Sequence, residues 1–226
     1  MLGILMSRFK GRKEYLFQHA REVWGPSIFK IARSELEVLG REKVNFDTPH
    51  IFVMNHQSHM DIPAAFMAVP KNIGFVAKTE LRKVPFMGKA MAEAGMVFVD
   101  RKNSTQAIKS LEDAGKLVRS GVNVFAFPEG TRSYDGAIRP FKKGVFRLAL
   151  AAGVPIVPMA IHGGCEVLPR GIMDPLPGTI RVIFGDPIDV TEYSVEERDE
   201  LVARVRQSII DLNLAIGGPG GSSDAS

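Results

Sequence analysis

The spacing of apolar positions changes partway along the chain. Between residues 13 and 33, Leu16, Ala20, Val23, Trp24, Ile28 and Ile31 recur at helical spacing beside Lys and Arg positions, which predicts an amphipathic helix that Gly25 and Pro26 kink or divide. Its stripe suits either packing on a core or lying among lipid headgroups. Beyond residue 35 the pattern shortens to runs rich in β-branched and aromatic residues, predicting strands at Ile51–Met54, 73–77, 96–100, 122–127, 156–161 and 180–184. Several runs are apolar at every position, as expected of strands covered on both faces. The helical stretches 104–119 and Gly144–Ala152 supply that cover. The expected fold is α/β: a mostly parallel or mixed sheet flanked by helices and preceded by an N-terminal amphipathic helical anchor. Ser194, with Glu197 three residues on, marks the start of a closing helix that runs to Ile216. The organisation expected is an interfacial helical segment over 1–34, an α/β domain over 35–216 and a disordered tail over 217–226.

Composition narrows the class. With 226 residues, 45% of them hydrophobic, the chain can bury one sizeable core. Cys165 is the single cysteine, so no internal disulfide forms. The net charge of +4 matters less than its placement: residues 1–6 are apolar and Arg8, Lys10, Arg12 and Lys13 follow at once. That order is wrong for a secretory signal and suits an interfacial anchor. No run approaches the roughly 18 to 20 apolar residues that span a bilayer, so the chain is expected to be peripheral or monotopic on the cytoplasmic face of a membrane. The basic residues do not gather into an aromatic-bearing stripe, and no nucleic-acid partner is expected.

The run Ile51–Met54 leads directly into Asn55-His56-Gln57-Ser58-His59-Met60-Asp61. Polar side chains at a strand's C-terminal end in an α/β fold face the crevice where ligands bind. An imidazole there serves as a general base near neutral pH, and a carboxylate on its other nitrogen fixes the tautomer. His56 and Asp61 form such a pair if the chain turns into a helix between them. Ser58-x-x-Asp61 equally matches a capping box. His56, His59 and Asp61 are three potential metal ligands within six residues, yet no second cluster completes a zinc shell. No Gly-x-Ser-x-Gly elbow is present, so the attacking hydroxyl is expected to belong to the substrate. After the run 122–127, Pro128-Glu129-Gly130-Thr131-Arg132-Ser133 offers turn N–H groups and a guanidinium fork for an anion. Lys78 and Arg101 follow the runs 73–77 and 96–100 and emerge at the same edge if those strands are parallel neighbours.

The chain resembles the lysophosphatidic acid acyltransferase (PlsC-like) branch of the glycerolipid acyltransferase family, whose four blocks recur in order. Asn55, His56 and Asp61 match N-H-x-x-x-x-D; Gly95, Phe98 and Arg101 match G-x-x-F-x-x-R; residues 127–133 match F-P-E-G-T-R-S; and 154–158 match V-P-I-V-P. The resemblance implies His56 as base and Asp61 as its partner. It also implies a substrate site shaped by Lys78, Arg101, Glu129, Gly130, Thr131 and Arg132, with 154–158 on the acyl-donor side. The expected reaction moves a fatty acyl group from acyl-CoA or acyl carrier protein to a lysophospholipid hydroxyl, with the thioester as co-substrate and no further cofactor or metal. The alternatives are glycerol 3-phosphate or a lyso-aminolipid as acceptor, or a catalytically silent lipid-binding protein. Relatives with long apolar membrane segments differ from this chain at the N-terminus.

Overall fold

The computed structural model describes residues 12–78, 82–85, 88, 89, 91, 96–99, 115, 118, 119 and 121–222. Among the described residues, seven strands form one sheet: β1 (Ser34–Leu39), β2 (Ile51–Met54), β3 (Ile73–Lys78), β4 (Val97–Val99), β5 (Asn123–Ala126), β6 (Ile156–His162) and β7 (Gly178–Phe184). Their order is β1-β7-β6-β2-β5-β3-β4, with β6 and β7 antiparallel and every other neighbouring pair parallel. The mixed sheet is therefore as expected. It has one strand more than the apolar runs announce, because β1 reads Ser-Glu-Leu-Glu-Val-Leu, an alternating edge strand with every second residue in solvent.

The unbroken apolar runs have a direct cause. Ile51, Val53, Val124 and Ala126 enter one core while Phe52, Met54 and Phe125 enter another on the opposite face. The first core is closed by α4 (Gly144–Ala152) and α6 (Arg198–Ala215), the second by α1 (Arg12–His19), α2 (Gly25–Ile31) and α3 (Asp61–Ala68). The short helix α5 (Gly164–Val167) follows β6.

Between α1 and α2 the helix widens into a π-helical turn, Ala20–Trp24, with Gly25 N–H donating to Ala20 O. Pro26, which has no N–H, then enters near the start of α2. The expected stripe splits: Ala20 and Ile28 pack half-buried on the second core while Val23, Trp24 and Ile31 stand exposed, and the buried Phe17 and Phe29 lie outside that stripe. Residues 1–6 with Arg8 and Lys10, most of the expected helix 104–119, and Gly95 and Arg101 lie outside the described residues. Ser194 and Glu197 exchange the bonds of a capping box, Ser194 N–H to Glu197 Oε2 at 2.8 Å and Glu197 N–H to Ser194 Oγ at 3.3 Å, before α6 begins at Arg198.

One expectation is overturned. Residues 217–222 are an ordered strap rather than a disordered tail: Ile138 N–H donates to Gly220 O at 2.8 Å and Ser222 N–H to Ile138 O at 3.0 Å. A glycine-rich stretch lacks side chains to bury, yet its backbone groups find partners here on a neighbouring loop.

Candidate active site

β2 and β6 run parallel through the middle of the sheet, and the chain leaves β2 at its C-terminal edge through Asn55. That amide is buried and bonds twice across to β6: its Nδ2 donates to Ile161 O at 3.0 Å, and its Oδ1 accepts Ile161 N–H at 2.9 Å. Next in the chain, His56 places Nδ1 2.6 Å from Asp61 Oδ2. The same oxygen accepts the N–H groups of Gln57 at 2.6 Å and Ser58 at 2.9 Å. Asp61 opens α3 and is fully buried, so the loop 56–60 wraps around one carboxylate. The capping-box alternative is met in part: Asp61 Oδ2 accepts Ser58 N–H, but Ser58 Oγ accepts Met60 N–H at 3.4 Å in place of the Asp61 N–H and donates to Leu168 O at 3.0 Å.

With Nδ1–H donated to a carboxylate, Nε2 carries the imidazole lone pair. The His56 ring stacks on Phe127, with centroids 4.0 Å apart and planes 17° apart, and its side chain is 16% exposed. The ring is thus fixed on one face by packing and on one edge by charge, with its remaining nitrogen left for a ligand.

The turn after β5 holds the His56 peptide. Glu129 is buried; its Oε1 accepts His56 N–H at 2.7 Å and its Oε2 accepts Arg139 N–H at 3.0 Å. Ser133 N–H donates to His56 O at 2.8 Å. Gly130 makes the turn at φ +70°, a conformation that favours glycine, and its N–H bonds to Phe127 O at 3.1 Å. Burial is the main cause that pushes the Glu129 carboxyl up to about 7, against the two N–H donors, which lower it.

Two expectations change. Glu129 faces inward and spends both oxygens on backbone N–H groups, so what it holds directly in the structure is the His56 and Arg139 peptides. Residues 154–158 lie in the core, with Ile51 opposite Ile156 and Val53 opposite Pro158, below the edge that carries His56. Thr131 is exposed and Arg132 half-buried. Arg132 lies near enough to His59 to add, after burial, to the causes that hold the His59 imidazole below its ordinary pKa; His56 acts in the same direction and Asp61 against it. Lys78 ends β3 opposite Val99, which puts its backbone at the same edge. No group of three potential metal ligands stands among the described residues.

Residue pattern alone assigns no task to Phe127, the platform under the imidazole, or to Asn55, the bridge to β6. Both lay inside the recognised blocks, where their letters were visible and their geometry was not. Cys165 sits beside the loop, with Sγ 3.6 Å from Gln57 O, and burial is the chief cause that raises its thiol to about 11. A thiol kept protonated is a poor nucleophile.

The family model described as Acyltransferase matches residues 35–162, more than half of the chain. A chloroplastic 1-acyl-sn-glycerol-3-phosphate acyltransferase of Brassica napus is 36% identical over 188 residues, covering 82% of this chain and 53% of that protein. The 1-acyl-sn-glycerol-3-phosphate acyltransferase alpha of Homo sapiens is 31% identical over 189 residues, covering 82% of this chain and 67% of its own length. The chain thus spans about half the length of the Brassica relative. Among solved structures, the 1-acyl-sn-glycerophosphate acyltransferase PlsC of Thermotoga maritima superposes with a TM-score of 0.79 at 29% identity, over 96% of this chain and 88% of that one. The match to the family model, the human relative and the shared fold together place this chain in the acyltransferase family, in the group of the 1-acyl-sn-glycerol-3-phosphate acyltransferases.

Proposed function

We propose that this chain transfers a fatty acyl group from an acyl-CoA or acyl carrier protein thioester to the free hydroxyl of lysophosphatidic acid, giving phosphatidic acid. The observation that carries the reading is the 2.6 Å contact between His56 Nδ1 and a fully buried Asp61 at the C-terminal edge of a central strand. His56 Nε2 takes the hydroxyl proton as that oxygen attacks the thioester carbonyl carbon. The tetrahedral oxyanion collapses, the carbon–sulfur bond breaks, and the departing thiolate takes the proton from the imidazolium. Asp61 stabilises the imidazolium throughout. Base catalysis of this kind contributes roughly a hundredfold to ten-thousandfold.

For the acceptor's phosphate we assign Arg132 and Arg101, with Lys78, Gly130 and Thr131 around it; a guanidinium fork matches phosphate oxygens bidentately. The reaction needs no cofactor, because acceptor and thioester contain every reacting atom.

A membrane surface as the place of reaction is supported by how exposed side chains are distributed. No helix of the described residues is long and apolar enough to cross a membrane. Ile31, next to the start of β1, and Ile172, Met173 and Leu176, between α5 and β7, are exposed at the sheet end that carries His56; Met173 is 94% exposed. Arg33 and Arg170 accompany them, beside Asp174. Apolar tips among cations suit an anionic lipid surface, and we place the protein there as a peripheral enzyme of the cytoplasmic face.

The test is product analysis by mass spectrometry with the acceptor and donor varied in one assay. Phosphatidic acid formed from lysophosphatidic acid, at a rate well above acylation of glycerol 3-phosphate or a lyso-aminolipid, is the expected result. Preference for either other acceptor overturns the substrate assignment; binding of lipid without any product overturns the enzyme.

A further inference from the structure

We infer that Asn213 is a positioning residue for acyl transfer, holding His56 in place from both of its sides through the C-terminal strap. The inference rests on the reading of His56 as general base.

Asn213 lies on α6 among the buried apolar residues Leu201, Val205 and Ile209 and is itself fully buried. A primary amide removed from water is costly unless its donors and acceptor are matched. Here its Nδ2 donates to Ile161 O at 3.0 Å and its Oδ1 accepts Gly220 N–H at 2.9 Å. A helix side chain thus ties the last turn of β6 to the strap.

Each tie leads on to His56. The Ile161 carbonyl is the same oxygen that accepts the Asn55 amide, also at 3.0 Å, so the residue before His56 and Asn213 share one acceptor. In the other direction, Gly220 O accepts Ile138 N–H at 2.8 Å. The next residue, Arg139, donates its N–H to Glu129, and Glu129 accepts the N–H of His56 at 2.7 Å. The bonds close a ring: Asn55, Ile161, Asn213, Gly220, Ile138, Arg139, Glu129, His56. Arg206, about two helical turns before Asn213 on α6, braces the same loop with Nη2 on Ile138 O at 2.9 Å. Gly218 has no side chain where it crosses Asn213; a Cβ there would fall on the amide itself. The strap and the asparagine are fitted to each other.

The consequence is kinetic. Misplacing a catalytic group by about 1 Å costs on the order of a hundredfold in rate, whereas the residues assigned to the acceptor's phosphate, Arg132 and Arg101 first among them, are not members of the ring. Loosening Asn213 therefore lowers kcat and leaves KM for both substrates nearly unchanged.

The experiment uses the full-length protein and two variants. Asn213→Leu removes both side-chain bonds at similar size. Gly220→Pro removes the Gly220 N–H and is incompatible with φ +75° at that position, which detaches the strap without altering the core helix. Steady-state kinetics with lysophosphatidic acid and a long-chain acyl-CoA are measured alongside the low-field proton NMR signal of the short His56–Asp61 hydrogen bond, all well below each variant's unfolding temperature. The expected result is a fall in kcat of about tenfold to a hundredfold with KM changed less than about threefold, and a shifted or broadened low-field signal. Wild-type kcat in either folded variant, or an undisturbed low-field signal, overturns the inference. If the wild-type protein transfers no acyl group, the proposed function falls, and the NMR signal alone decides whether Asn213 positions His56.

Discussion

At the scale of single residues, the site is a set of buried polar groups whose partners are nearly all backbone. Asp61 accepts three N–H groups on one oxygen, and Glu129 divides its two oxygens between two loops. Asp61→Asn offers an amide where a carboxylate accepted the imidazole N–H, favouring the wrong tautomer. It should lower kcat by about a thousandfold or more while leaving acceptor KM close to wild type, which initial-rate kinetics check. Glu129 predicts a pH dependence of stability. Its folded value of about 7 lies above its ordinary 4.5, so between those values the folded state binds the proton more tightly than the unfolded chain does. Stability from this group is present below pH 4.5 and is lost as pH rises through 7. Denaturant unfolding of wild type and Glu129→Gln, compared across that window, should show the wild type losing up to about 3 kcal/mol relative to the variant. Cys165→Ser should leave turnover near wild type, because the thiol stays protonated and direct transfer has no use for it.

At the scale of elements, strands such as β2 and β5, buried at every position, were legible in the sequence as predominantly apolar runs. Phe52 is an example: fully buried, with Phe125 and Phe184 among its ring contacts, it belongs to a run with no polar letter. Phe52→Ala should cost about 3–5 kcal/mol in denaturant unfolding. β1 was hidden because its exposed Glu35 and Glu37 make half of it read as surface. The strap was misread for a different reason. Composition predicts whether a segment can bury side chains, and 217–222 is held instead by N–H and C=O groups paired with Ile138, far away in sequence, and with the buried Asn213 of α6. The proposed pair His56 and Asp61 was legible because its members are five residues apart in sequence, whereas the bond from His56 N–H to Glu129 required knowing that β5 lies beside β2.

At the scale of the whole molecule, one end of the sheet carries the chemistry and the exposed apolar side chains at 172–176. Replacing Ile172 and Met173 by Asp should weaken binding to phosphatidylglycerol vesicles in a flotation assay by tenfold or more, given roughly 1.5–3 kcal/mol for burial of each such side chain. Turnover of a short-chain, monodisperse acceptor should be unaffected. The sequence pointed to the amphipathic N-terminal helix for this contact. In the fold that helix gives Phe17 and Phe29 to the core and leaves Val23, Trp24 and Ile31 exposed, a division that helical periodicity alone does not resolve.

The central claim is that an imidazole held by Asp61 removes the proton of a lipid hydroxyl. Single-turnover acyl transfer by purified His56→Ala, with its fold verified by circular dichroism, tests it most directly. The rate should fall by at least about a hundredfold, with lysophosphatidic acid still bound. A folded His56→Ala protein that forms phosphatidic acid at the wild-type rate would contradict it.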